Sequence, residues 1–260
     1  MKIIKISIVI LGLTMFFFSC KKDVNIVPDL PPEASFITNF SDFNISKSNN
    51  DLTNINWKYA AGNVLVWNSI ITVGLAVPVA SYTEAFKNND PVYQGDGTWL
   101  WEYSFPQNEN TYTARLFGTV NDNSIYWEMF ISKDGEYDSF KWFSGISIDN
   151  SKVSWVLFDN PIDANELLSI EYIKTSDNSG SITYKNIVPE GSENGGYIKY
   201  ENNNSDDLNA YYEIYNKGKD NLTEIEWSQT NKNGRVKDEN KYQDDKWYCW
   251  NENLEDIDCN

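Results

Sequence analysis

The side chains with chemical potential in this chain are its carboxylates and its aromatic rings. Histidine is absent from all 260 residues, and arginine occurs only at Arg115 and Arg235. Without imidazole the chain cannot run a Ser-His-Asp or Cys-His relay, and it lacks the nitrogen ligands that most catalytic zinc and iron sites use. Two arginines allow bidentate recognition of phosphate or carboxylate at two points at most. The hydrolytic chemistry left is that of a carboxylate pair, one protonated and one not, set about 5 to 9.5 Å apart across a glycosidic bond. Glu102 beside Trp101, Glu128 beside Trp127 and Glu226 beside Trp227 are acids on aromatic strands that could supply it. Glu128 alternates with the apolar face next to it, and solvent-facing side chains are the expectation for all three. No nucleophile motif accompanies them, so no catalytic residue is assigned and a non-enzymatic protein is expected.

A second acidic group lies at the C-terminal end. Asp238, Glu239, Asp244 and Asp245 precede Trp247, and Glu252, Glu255, Asp256 and Asp258 fall between Cys249 and Cys259. Calcium takes several oxygen ligands in a flexible cage, which makes a calcium site here an open alternative. The spacing is not that of an EF-hand, and acidic loops ordinarily serve solvation, so no metal site is assigned. The aromatic content of 15%, with Trp 10 and Tyr 16, fits β cores and also provides flat faces for ligands. Trp99, Trp101, Trp127 and Trp142 are the candidate ligand contacts. The formal charge of −17 becomes −19 if Lys2 and Lys5 are removed with a signal sequence. A body that acidic repels nucleic acid and anionic membrane surfaces, and nucleic-acid binding is excluded as an expectation.

The N-terminus specifies a location. Lys2 and Lys5 precede a mostly apolar run from Ile8 to Phe18, then the small residue Ser19 and Cys20. A charged start, a short apolar middle and a small residue form a secretory signal over residues 1–19, too short for a comfortable membrane span. Ser19-Cys20 resembles the lipidation site of bacterial lipoproteins, although Phe17 stands where that pattern usually carries Leu. The resemblance implies acyl chains on Cys20, an outer-membrane protein facing the periplasm or the outside, and the membrane as a partner through the anchor. Lys21-Lys22-Asp23 is similar to the short charged signals that send some Bacteroidota lipoproteins to the cell surface. With Cys20 carrying lipid, the odd cysteine count resolves, and Cys249 and Cys259 are expected to pair as a disulfide in an exported protein. Zinc is the competing use, which two cysteines without histidine suit poorly.

Residues 20–32, with Pro28, Pro31 and Pro32, read as a lipidated tether, and 33–260 as a single β-rich domain. A helical segment near 57–88 opens that domain. From Val64 to Val77 the chain is nearly apolar all round, so a buried helical hairpin interrupted at Pro78 is expected. From Val92 onward the pattern has period two. Tyr112, Ala114 and Leu116 share one face, as do Ile125, Trp127, Met129 and Ile131, and then Val153, Trp155 and Leu157. Turn clusters such as Gly95-Asp96-Gly97, Asn121-Asp122-Asn123 and Asp149-Asn150 separate them. Short, evenly spaced strands of this kind predict an antiparallel meander, which must curl or close to hide its edges.

A curved sheet or half-barrel with a short N-terminal helical region packed against it resembles the lipoprotein-carrier folds of the periplasm, in architecture and without a shared motif. Residues 57–64, 92–99 and 233–238 carry a likeness to a family of Bacteroidota lipoproteins, which implies an envelope lipoprotein and transfers no activity. The expected function is therefore a lipid-anchored envelope protein that binds an apolar or amphipathic ligand in the curved sheet. A surface glycan-binding or glycan-processing lipoprotein using exposed Trp99 and Trp101, and a structural envelope lipoprotein, stand as the alternatives.

Overall fold

The computed structural model describes residues 26–38, 54–87, 90–177, 179–203 and 207–259. The signal sequence, Cys20 and the first part of the tether lie outside the described residues.

The period-two stretches form one antiparallel sheet of fourteen strands in strict chain order. They are β1 (Val92–Gly95), β2 (Thr98–Gln107), β3 (Asn110–Asn121), β4 (Ser124–Lys133), β5 (Tyr137–Ile148), β6 (Lys152–Phe158) and β7 (Glu166–Ser176). There follow β8 (Ser179–Asn186), β9 (Tyr197–Asn202), β10 (Ala210–Asn216), β11 (Asn221–Trp227), β12 (Gly234–Asp238), β13 (Tyr248–Trp250) and β14 (Asp256–Ile257). β1 and β14 do not pair with each other, so the meander is open. Alternation sends one set of side chains inward. Trp101, Tyr103, Ala114, Leu116, Met129 and Ile131 are buried while Glu102, Ser104 and Thr113 are exposed.

One lateral row organises the inner face. In register across neighbouring strands run Trp99, Gly118, Trp127, Gly145, Trp155, Ile170, Tyr184, Ile198, Ile214, Thr223 and Asp238. In its first half tryptophan alternates with glycine, and the indoles lie over the bare backbone. A Cβ on Gly145 would run into the edge of the Trp155 ring and come within 2.6 Å of the Ser154 carbonyl oxygen. Gly234 repeats the device between Trp227 and Trp250. Small residues opposite aromatics let a sheet pack densely without prising its strands apart.

The inner face is covered by α1 (Ile55–Gly74) and α2 (Ala76–Ala85), which meet at Leu75 with a bend of 69°. Pro78 causes the break from within α2. Its missing N–H falls harmlessly in the first turn, but its ring opposes the carbonyl of Gly74 four residues back, so a continuous helix is blocked there. α1 lies against β10 and β12–β14, and α2 against β2. Among the described residues no single helix is long and apolar enough to cross a membrane.

Two expectations are corrected. The helix was expected to be buried on all sides, yet α1 buries Asn56 and the apolar stripe Trp57, Ala60, Ala61, Val64 and Ile71, while Val66, Ile70 and Val73 are 60%, 49% and 78% exposed. Among the described residues the single-layer sheet covers one side of α1 and leaves Val66, Ile70 and Val73 uncovered. The tether expected over 20–32 ends earlier, because Pro28 and Pro31 are buried. Tyr82 Oη donates to the Pro31 carbonyl at 2.6 Å, and Phe36 stacks among Tyr82, Phe143 and Trp155 with centroids 4.8 to 5.5 Å apart. Apolar surface next to an aromatic cluster docks rather than remaining in water.

Cys249 and Cys259 form the disulfide, with Cα atoms 5.3 Å apart. Closing so short a loop is worth about 2–3 kcal/mol in the chain-entropy account. Reduction should lower the denaturation midpoint by that amount, measured in urea with and without a reductant. Gly145→Val should cost about 2–4 kcal/mol through overpacking against Trp155. Gly62→Ala, at a helical position where a Cβ meets nothing within 4 Å, should instead stabilise by about 1 kcal/mol in the same assay.

Candidate ligand-binding site

Beside the buried stripe of α1, between that helix and β7–β11, lies a cavity of ≈ 530 Å³. That volume is within the range of small-molecule sites. Its roof is the flank of α1 next to the buried stripe, formed by Tyr59, Asn63, Val66, Trp67, Ile70 and Gly74 with Leu75 beyond; Val66 and Ile70 stay exposed there, so the cavity is open along that side. Its floor is Leu167 and Leu168 at the start of β7 together with Ile214 on β10 and Thr223 on β11. The row that carries tryptophans in β2–β6 carries Ile170, Tyr184, Ile198, Ile214 and Thr223 in β7–β11, and the last two, smaller than tryptophan, line the cavity.

The rim has a different composition. Asn186 ends β8, Asn216 ends β10 and Asn221 begins β11, so three amides share one end of the strands. Glu193 and Lys219 come from the β8–β9 and β10–β11 connections at that same end. The Asn216 side chain accepts from the Lys219 N–H at 2.9 Å and fixes the short 3-10 turn Lys217–Lys219. Polar groups therefore edge the opening, and an apolar floor lies deeper.

Two carboxylates hold the roof in place. Asp256, inside the disulfide loop, accepts from the backbone N–H groups of Ile55 and Asn56, both at 3.0 Å, and so caps the first turn of α1. Asp238 is buried at the end of the lateral row. It accepts from Tyr59 Oη on α1 at 2.6 Å, Thr223 Oγ1 at 2.5 Å, Asn221 Nδ2 at 2.8 Å and the Lys241 N–H at 2.9 Å. Burial pushes its carboxyl up, but the bonds from Thr223, Tyr59, Asn221 and Lys241 outweigh that and hold it below the ordinary carboxylate range. Burial, then the bond to Asp238, pushes the Tyr59 hydroxyl up to about 12. The sequence offered these acids for calcium. Among the described residues no group of three or more His, Cys, Asp or Glu is placed to hold a metal ion, and Asp238 and Asp256 are engaged by α1.

The candidate tryptophans lie elsewhere. Trp99, Trp101 and Trp127 are 8%, 3% and 0% exposed on the inner face of β2 and β4, away from the cavity. They are core, and the exposed stacking platform expected of Trp99 and Trp101 is not formed. Trp142 is half-buried on β5 against Tyr137 and Phe140 at 5.9 and 5.3 Å. The aromatic side chains that do line the cavity are Tyr59, Trp67 and Tyr215.

The candidate acids do not converge. Glu102 and Glu128 are on β2 and β4 with a strand between them, and Glu226 is on β11. Glu128 pairs with Lys141 at 3.6 Å and accepts from Tyr126 Oη, and Glu226 accepts from Arg235 Nε at 2.7 Å. The other arginine, Arg115, donates to Ser139 Oγ at 2.5 Å. Glu213 and Glu224, which the sequence did not single out, stand directly opposite each other on the outer face. Tyr211 Oη contacts them at 2.9 and 3.3 Å, and Glu224 also pairs with Lys237.

Compared with protein-family models, curated proteins and solved structures, the chain shows no significant match.

Because the folded carboxyl of Asp238 sits below its unfolded value near 3.9, its stabilising contribution is present above that pH and is lost as pH falls through the depressed value. Asp238→Asn should cost about 2–3 kcal/mol at pH 7, since the Asn amide opposes donors that the carboxylate satisfied. It should also flatten the loss of stability below pH 4, read from urea melts across pH 2–7.

Proposed function

We propose that this protein is a lipid-anchored component of the cell envelope that holds an apolar or amphipathic ligand beneath α1 without catalysing a reaction on it. The cavity of ≈ 530 Å³ between α1 and β7–β11 carries the reading. Apolar floor, amide rim and a roof tied down at one end are the arrangement of a binding pocket. The lipoprotein-like N-terminus supports the location: Cys20 would bear the acyl chains and anchor the chain at the outer membrane, facing the periplasm or the outside. The burial of Trp99 and Trp101 argues against glycan stacking there, and the cavity favours a carrier over a purely structural lipoprotein.

The test is mass spectrometry of solvent extracts from the chain beginning at Lys21, purified without detergent. A lipid or other apolar molecule at near-stoichiometric amount is the expected result; a folded but empty protein would count against a carrier. Ile214→Trp, placed to fill the floor, should reduce the extracted ligand to about a tenth or less while the circular dichroism spectrum is retained.

A further inference from the structure

We infer that the ligand of this cavity is a single-chain amphiphile with an anionic head, a carboxylate or a phosphate, seated with its head at the amide rim and Lys219. The inference rests on the carrier reading and adds the ligand's chemistry and orientation.

Volume limits the number of chains. At about 30 Å³ per methylene, close to the share of volume a liquid water takes, ≈ 530 Å³ corresponds to about 16–18 methylenes in all, enough for one long chain and too little for two of that length. The layout fixes the orientation. Ile214 lies two residues inward of Asn216 along β10, and Thr223 two residues inward of Asn221 along β11. The polar end is thus at the strand ends, where the loops open to solvent, and the apolar end runs beneath α1.

Charge selects the head. From Tyr59 to Thr83 the chain holds no Asp, Glu, Lys or Arg, so the roof brings no ionic partner of its own. Lys219 is the one cation lining the cavity, in a body whose formal charge is −17. Among the described residues no carboxylate pairs with its ammonium within 4.0 Å, and Lys217 and Lys185 are exposed nearby in chain and sheet. Of the acids at this end, Glu193 also lines the cavity, with its carboxylate held toward the Gly218 N–H at 3.2 Å, and Asp220 accepts from Tyr215 Oη at 2.7 Å. The amide N–H groups of Asn186 and Asn216, whose oxygens alone are engaged among the described residues, add donors that an anionic oxygen can use.

The test uses the full chain and three photoactivatable probes of equal chain length: a fatty acid, a lysophosphatidylglycerol and a neutral monoacylglycerol. Each is cross-linked, and the labelled peptides are mapped by mass spectrometry. The expected result is labelling of α1 and β10 peptides by one or both anionic probes, at least about fivefold above the neutral probe. Carboxylate-only or phosphate-only labelling supports the inference and identifies the source of the charge. Lys219→Glu should lower anionic labelling about tenfold and leave neutral labelling unchanged, whereas Lys219→Arg should retain it. Equal labelling by all three probes, or indifference to Lys219→Glu, overturns the anionic head and leaves the carrier reading standing. Absence of cavity labelling by every probe overturns both.

Discussion

An indole can lie across a β-sheet only where the facing position on the next strand has no side chain. That constraint governs this molecule. Trp127 and Trp155 lie over Gly118 and Gly145, and the four strands involved are packed as tightly as their backbone allows. The dense half of the sheet provides the platform on which Phe36 and Tyr82 dock, and through them the N-terminal segment and α2. Where the same row reaches Ile214 and Thr223, beyond Ile170, Tyr184 and Ile198, the sheet offers less bulk to the helix that crosses it. The cavity lies at that place, beside α1, where Ile214 and Thr223 stand in the row.

The roof of that cavity is held unevenly. At its N-terminal end α1 is capped by Asp256 and tied by Tyr59 to Asp238, and the disulfide restrains the loop that carries Asp256. At its C-terminal end the helix stops because Pro78 forbids its continuation, and Val66, Ile70 and Val73 face solvent. Segments with few buried contacts open at lower free energy than the core. The cavity runs from the anchored Tyr59 to Leu75 at the less anchored end, where local movement would leave the sheet intact.

Much of the fold was legible in the sequence because alternation is a local property. Trp127, Met129 and Ile131 had to share a face whatever their neighbours were, and Asp122-Asn123 or Asp149-Asn150 had to turn the chain. The bend was legible less accurately: Pro78 was recognised as an interruption, but the steric conflict acts four residues earlier, at Gly74. Burial was the property that misled. The apolar circumference of α1 indicated a helix covered on all sides, which a one-layer sheet cannot provide. The prolines at 28 and 31 indicated a free spacer, although the apolar residues around them had an aromatic cluster to join.

The site itself was not legible. Its residues come from α1, β7, β8, β10 and β11, and nothing in any one of these segments marks it; Asn186, Asn216 and Asn221 are ordinary strand-end residues until the meander sets their ends together. Trp99, Trp101 and Trp127 drew attention because tryptophan is a versatile ligand contact, but whether a ring meets a ligand or a neighbour depends on what covers it. By itself the sequence determined strand faces, turns, the helix break and the charge of the body, since each follows from the conformational preference or ionisation of a few adjacent residues. Only the tertiary structure decided where the cavity lies and which side chains edge it, because empty space arises from the register of strands far apart in the chain.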